Sequence, residues 1–231
     1  MIIGLVLQSY YSIQHVQAAA YFARRAFDIE AALSNETAPE AMVLKAYVSG
    51  ALFSSVAFLE ALANELYADA MRPDGGHLST IEESQRLAIT RMDESHFTKK
   101  TPLFSKFDHF LLAAGKAPMP RGQDPSQAVA TIIELRNAII HCKASFFDSG
   151  SPHMVRSGNF HESSLPERIK GRFEMRKGAT ALSGDHWLGH GLARWSVEST
   201  VAYADAFFAC IGVSPYFGHV RDQLGTSGTS A

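Results

Sequence analysis

Apolar residues along this chain recur with the period of an α-helix. Ile13, Val16, Ala20, Ala23 and Phe27 step by threes and fours and so share one face of a first helix. The run Ser34-Asn35-Glu36-Thr37-Ala38-Pro39 breaks that pattern. Val48, Leu52, Ser55, Leu59, Leu62 and Leu66 then carry the same rhythm through a long second helix over 40–71. Phe53, Ala57, Phe58 and Ala61 fill its other faces, which predicts a central position, and Pro73-Asp74-Gly75-Gly76 ends it. A more polar helix is predicted over 79–93, with Ser79-x-x-Glu82 as its capping box. A short amphipathic helix follows over 101–114, then a Pro/Gly loop from Gly115 to Pro125. Asp124-Pro125 reads as an N-cap followed by proline at the first helical position of a helix over 126–147. Leu188, Leu192, Trp195, Ser199, Ala202, Ala206 and Ala209 mark the seam of a last helix over 186–211.

Residues 148–185 lack this periodicity and are rich in Gly, Ser, Arg and His. A structureless loop of that length is rare inside a compact domain. A short helix near 164–171, a small hairpin or partial disorder is expected there. The fold class that results is an all-α bundle of four to five main helices in a single domain over 1–220. An irregular insertion over 148–185 precedes the last helix, and 221–231 form a flexible tail.

Composition narrows the picture. With 46% hydrophobic and 19% charged residues in a chain of 231, a sizeable core is affordable and general disorder is excluded. The formal net charge of −2 gives no overall attraction for phosphate, so nucleic-acid binding needs a local basic patch. Cys142 and Cys210 sit in apolar helical patterns and read as buried thiols of a reducing compartment. The opening MIIGLVLQSYYS lacks the basic start of a signal peptide, and no stretch approaches the length of a membrane span. A soluble, cytoplasmic protein without a membrane partner is expected.

One stretch carries more polar chemistry than packing needs: Leu135-Arg136-Asn137-Ala138-Ile139-Ile140-His141-Cys142-Lys143. On a helical wheel Ile132, Leu135, Ile139, Cys142 and Phe146 form one apolar stripe, and Ile133, Ile140 and Phe147 a second beside it. Arg136 and Lys143 fall between the stripes, while Asn137 and His141 lie opposite, one turn apart. Arg136 is therefore expected to be largely buried or at an interface, with an acidic, carbonyl or phosphate partner. Pairing with Glu60 or Glu65 would make it purely structural. Arg136 and His141 diverge by about 140° on a straight helix, so a curled Arg side chain or a second copy of the helix is needed to bring both to one target.

The segment Arg136-Asn137-Ala-Ile-Ile-His141 resembles the motif of HEPN-domain proteins. There an Arg, often with a polar follower, precedes a His with four to six residues between; here there are four, and the follower is Asn. SYYSIQHVQAAAYFARRAF resembles an early helix of that family, SGALFSSVAFLEALANELYADA its long central helix and ARWSVESTVAYADAFF its closing helix. The resemblance does not extend to 72–125 or 148–185. It implies a dimerising bundle of four or five helices. Catalytic members are metal-independent endoribonucleases of toxin–antitoxin, defence or RNA-processing systems; others are non-catalytic binding or accessory modules. Carried over by position, Arg136 and His141 would be the catalytic pair and Asn137 their support. RNA and a second copy of the chain would be the partners, with an antitoxin or another protein beside them, and no cofactor.

The chemistry suits those residue types. RNA supplies its own 2′-OH nucleophile; cleavage needs a proton carrier and a stabiliser for the phosphorane. A histidine exchanges protons near neutral pH, and an arginine presents a permanently charged donor fork to phosphate oxygens. The best basic patch is Arg168, Lys170, Arg172, Arg176 and Lys177, with Phe173 available to stack a base. Lys143 is a further RNA-binding candidate. His186 and His190 have a spacing that can hold Zn²⁺ on one helical turn, with His161 or Asp185 as the third ligand, but the Glu of a zinc-protease motif is absent. No metal site is assigned. The chain has no P-loop, GxGxxG or GxSxG, and Cys142 points away from its neighbour His141, which disfavours a thiolate dyad.

Overall fold

The computed structural model describes residues 9–33, 39–141, 165–176 and 186–228. Helix α1 (Tyr11–Ala32) and helix α2 (Pro39–Met71) form a hairpin, and the closing helix α8 (His190–Ile211) packs against both. Alanines make the hairpin tight: Ala19, Ala20, Ala23 and Ala26 of α1 are fully buried. Gly50 of α2 lies under Phe22, whose ring is 2.9 Å from where a Cβ would stand. The expected central helix is α2, with Leu44, Val48, Leu52, Phe58, Leu59, Leu62 and Leu66 all at zero exposure. α2 is long and apolar enough to cross a membrane, contrary to the sequence reading, and 44% of its most apolar window is buried within the bundle. A helix buried on several faces needs apolar residues all round, and that requirement produces the same composition.

The polar segment after α2 is not one helix. It is a 3₁₀ turn (Gly76–Leu78), then α3 (Glu83–Ile89) and α4 (Glu94–Lys100). Ser79 does not cap a helix; Glu82 stands at the N-cap of α3 without a side-chain bond. Asp93 caps α4 by accepting from the His96 N–H at 3.0 Å. Pro102 stops α4 and leads into α5 (Leu103–Ala113). Helix α6 (Ser126–Ile140) begins at 126 as expected but ends at Ile140, short of 147; Pro125 is its N-cap, in a cis peptide bond with Asp124, and not its first helical residue. A helix of five residues, α7 (Leu165–Ile169), lies on α6, as expected for a short helix near 164–171. The last helix starts at His190, not 186, and Gly212 closes it in a left-handed conformation. Among the described residues there is no strand, and five helices exceed ten residues, so the chain is an all-α helical bundle.

Two cores alternate along the bundle. One is aromatic, with Phe58, Phe97, Phe107, Phe110, Tyr203, Phe207, Phe208 and Phe217 meeting mainly edge to face. The other joins small residues of α1 and α2 to Ile132, Leu135, Trp187, Leu192 and Val197. The stretch expected to form a loose tail after 220 is pinned as far as Thr226. Arg24 donates to the Gln223 and Gly225 carbonyls at 2.8 and 2.7 Å, and the Thr226 carbonyl accepts from His190 Nε2 at 2.9 Å.

Candidate functional site

Helix α6 packs one face on α2, α7 and α8. Ala128, Val129, Ile132 and Leu135 are buried there. The second predicted apolar stripe is not core: Ile133 is half-buried and Ile140 is 53% exposed. Arg136 consequently lies at the border of the buried face, half-buried, and not between two buried rows. It lines a cleft of roughly 380 Å³ with Glu60, Pro102, Leu103, Phe104, Ala130, Ile133 and Glu134. The guanidinium Nε is buried and has no hydrogen-bond partner.

The two carboxylates in this cleft are already matched. Glu60 Oε2 accepts from Lys106 Nζ at 2.8 Å. That ammonium is 2% exposed and completes its three bonds with Asn64 Oδ1 at 2.9 Å and the Thr98 carbonyl at 3.1 Å. Glu134 Oε2 accepts from Arg168 of α7, whose guanidinium also donates to Thr131 Oγ1 at 2.9 Å. Glu65, the other carboxylate considered for Arg136, belongs to a different cluster. Two paired carboxylates and one unpaired guanidinium leave the cleft with a positive charge in excess.

His141 is exposed and forms the C-cap of α6, its N–H donating to the Asn137 carbonyl at 2.9 Å. Asn137 is exposed one turn earlier. On the wheel Ala130, Glu134, Asn137 and His141 fall within an arc of about 60°, so two residues that line the cleft share a helix face with Asn137 and His141. Arg136 stands about 100–160° round the helix from that face and borders the cleft from the other side. The helix thus brings Arg136, Asn137 and His141 to one end of α6, with Lys143 outside the described residues.

The predicted basic patch is arranged differently from a free surface. Arg168 is held by Glu134; Arg172 donates to Asp124 at 2.7 Å and to Gln127 Oε1 at 2.6 Å. Arg168 staples α7 onto α6, and Arg172 staples the segment after α7 onto the start of α6 and the residues before it. Arg176 is buried, its N–H donating to the His186 carbonyl at 3.0 Å. Phe173, expected to stack a base, packs against Trp195 with centroids 5.4 Å apart. Lys170 is exposed, and Lys177 lies outside the described residues.

His186 precedes α8, so the turn expected to align it with His190 is not helical. His190 donates from its backbone to Glu30 Oε2 at 2.5 Å and from Nε2 to Thr226. Among the described residues no group of three or more His, Cys, Asp or Glu could hold a metal ion. Cys210 is exposed, against the expectation of burial, while Cys142, His161 and Asp185 lie outside the described residues.

A second polar cluster had no signal in the sequence. Asp69, fully buried, accepts from Tyr10 Oη at 3.0 Å, from His77 Nδ1 at 2.9 Å and from the His77 N–H at 3.2 Å. Glu65, one turn earlier, accepts from the Ser12 N–H at 2.9 Å, from Ser12 Oγ at 2.5 Å and from Tyr216 Oη at 2.6 Å. The rings of Tyr10, His77 and Tyr216 pack on one another at 4.3–5.0 Å. Burial first, and then the Glu65 carboxylate, push the Tyr216 phenol well above the ordinary tyrosine range; burial and Asp69 do the same to Tyr10.

Phe104, Glu134 and Lys106 were also missed. Glu134 stands two residues before Arg136, but its partner Arg168 is distant in sequence, and no local pattern joins them. In comparisons with known proteins the chain matches no family model, no curated protein and no solved structure.

Proposed function

We propose that this protein is a metal-independent endoribonuclease in which Arg136 grips a phosphate and His141 carries the proton. The observation that carries the reading is the half-buried Arg136 at an open cleft, its Nε desolvated and unpartnered beside carboxylates already neutralised by Lys106 and Arg168. A buried donor left unpaired costs about 1–3 kcal/mol, and a phosphate toward which the guanidinium turns removes that cost. His141 is open to solvent at the end of the same helix. The 2′-OH loses its proton to an imidazole, Arg136 holds the charge of the phosphorane, and the 5′-oxygen leaves protonated. Two copies of α6 meeting on a two-fold axis would supply both groups to one phosphodiester, with Asn137 orienting the phosphate or His141. A homodimer acting in the cytoplasm, controlled by an antitoxin or another protein, fits this reading, as does a role in defence.

A non-catalytic module is the second reading, favoured by the apolar share of the cleft: Pro102, Leu103, Phe104, Ala130 and Ile133 suit a bound ligand as well as a reacting chain. End-labelled RNA incubated with the protein in EDTA separates the two. The nuclease gives 2′,3′-cyclic phosphate and 5′-OH ends and leaves DNA uncut. Intact RNA, or cleavage that returns only with added divalent metal, contradicts the proposal.

A further inference from the structure

We infer that the Arg136 cleft holds the nucleobase adjoining the gripped phosphate and discriminates against uracil. This rests on the nuclease reading for the phosphate, but the base selection stands on the cleft itself. At roughly 380 Å³ it falls in the size range of small-ligand sites, about 300–1,000 Å³. Five of its eight lining residues are apolar, and one of these presents an aromatic ring held in place. Phe104 is met edge-on by Tyr203 at 5.6 Å, and Arg121 lies over the ring at 4.1 Å.

The polar groups of the cleft set which base edge fits. Glu60 and Glu134 each use Oε2 on their cation, and among the described residues neither Oε1 has a hydrogen-bond partner. Apart from Arg136, the side chains lining the cleft offer acceptors and no donor. Adenine, cytosine and guanine each carry an exocyclic amino group that such an acceptor can take. Uracil has one N–H set between two carbonyl oxygens, which a carboxylate repels. Arg136 supplies the excess positive charge for the phosphate, and the wall formed by Ala130 and Glu134 leads along α6 to Asn137 and His141. A base seated in the cleft therefore directs its phosphodiester toward the end of the helix where His141 stands.

The test titrates the full-length protein with AMP, CMP, GMP and UMP by calorimetry and, separately, maps cleavage sites on RNA. UMP should bind about tenfold more weakly than the other three, the worth of one hydrogen bond to a charged acceptor. Glu134→Gln should shrink that difference, because an amide presents a donor to the uracil carbonyl as well as an acceptor. Arg136→Met should weaken all four nucleotides alike. Equal affinities, an unchanged ranking in Glu134→Gln of wild-type melting temperature, or no binding at all overturns the inference. RNA cleaved without base preference removes the base site and leaves the nuclease. Ranked nucleotide binding without cleavage removes the nuclease and leaves the site.

Discussion

Glu65 and Asp69 on one stretch of α2, and Glu60 a little earlier on the same helix, anchor two polar clusters with opposite outcomes. Around Glu65 and Asp69 the donors of Tyr10, Ser12, His77 and Tyr216 converge until each carboxylate accepts three bonds. The rings above them pack on one another, so nothing is left for a ligand to add. Around Glu60 and Glu134 the matching stops one group short: Lys106 and Arg168 neutralise the carboxylates, and Arg136 remains without a partner. The first cluster joins the start of α1, the end of α2, the turn after it and the segment after α8. The second joins α2, α5 and α6 but retains a cleft. Polar groups that satisfy one another hold a chain together, whereas a desolvated charge with room beside it gains energy only from something that arrives.

The contrast predicts opposite signs for removing charge. Arg136→Met should lower RNA cleavage by about 10²–10³-fold, the loss typical of one transition-state donor. It should leave stability unchanged or raised by up to about 1 kcal/mol, because an unpartnered buried donor disappears. Chemical denaturation beside a cleavage assay checks both; a variant destabilised by the same amount as an ion-pair deletion would erase the contrast. Asp69→Ala should cost about 3 kcal/mol, since three donors lose their acceptor in a buried site, and this is read as a lower denaturation midpoint.

A smaller effect is expected at alkaline pH. The folded phenols of Tyr216 and Tyr10 are raised above their unfolded value, so the fold favours the protonated form. Their contribution is complete below about pH 10, the ordinary tyrosine value, and is lost as pH rises from there through the higher folded value. Phenolate absorbance should thus lag behind that of a Tyr216→Phe, Tyr10→Phe protein, whose stability should fall less steeply above pH 10. Coincident slopes would show that the closed cluster does not hold these protons.

The helices were legible because burial writes its period into the chain. The central place of α2 follows from Phe53, Ala57, Phe58 and Ala61 filling the faces beside its leucine row, and the all-α class follows from the same rhythm in every long segment. The split of 79–93 was not legible: Ser79-x-x-Glu82 imitates a cap, while the cap that acts is Asp93, inside the predicted helix. Motif spacing singled out Arg136, Asn137 and His141, yet the cleft depends on Phe104 from α5 and on Arg168 arriving from α7. Such long-range pairings leave no periodic trace. The same limit applies to the run of arginines at 168–176, which spacing presents as a free patch: the fold turns Arg168 and Arg172 into staples for α6 and buries Arg176.

Cleavage of labelled RNA by wild-type protein and by His141→Ala, compared in EDTA, tests the account at its centre. His141 is exposed at the end of α6, so the substitution should change stability by no more than about 0.5 kcal/mol. The folded variant should lose cleavage by about 10²-fold or more, the least that a positioned proton carrier contributes. Cleavage by His141→Ala at the wild-type rate would contradict it.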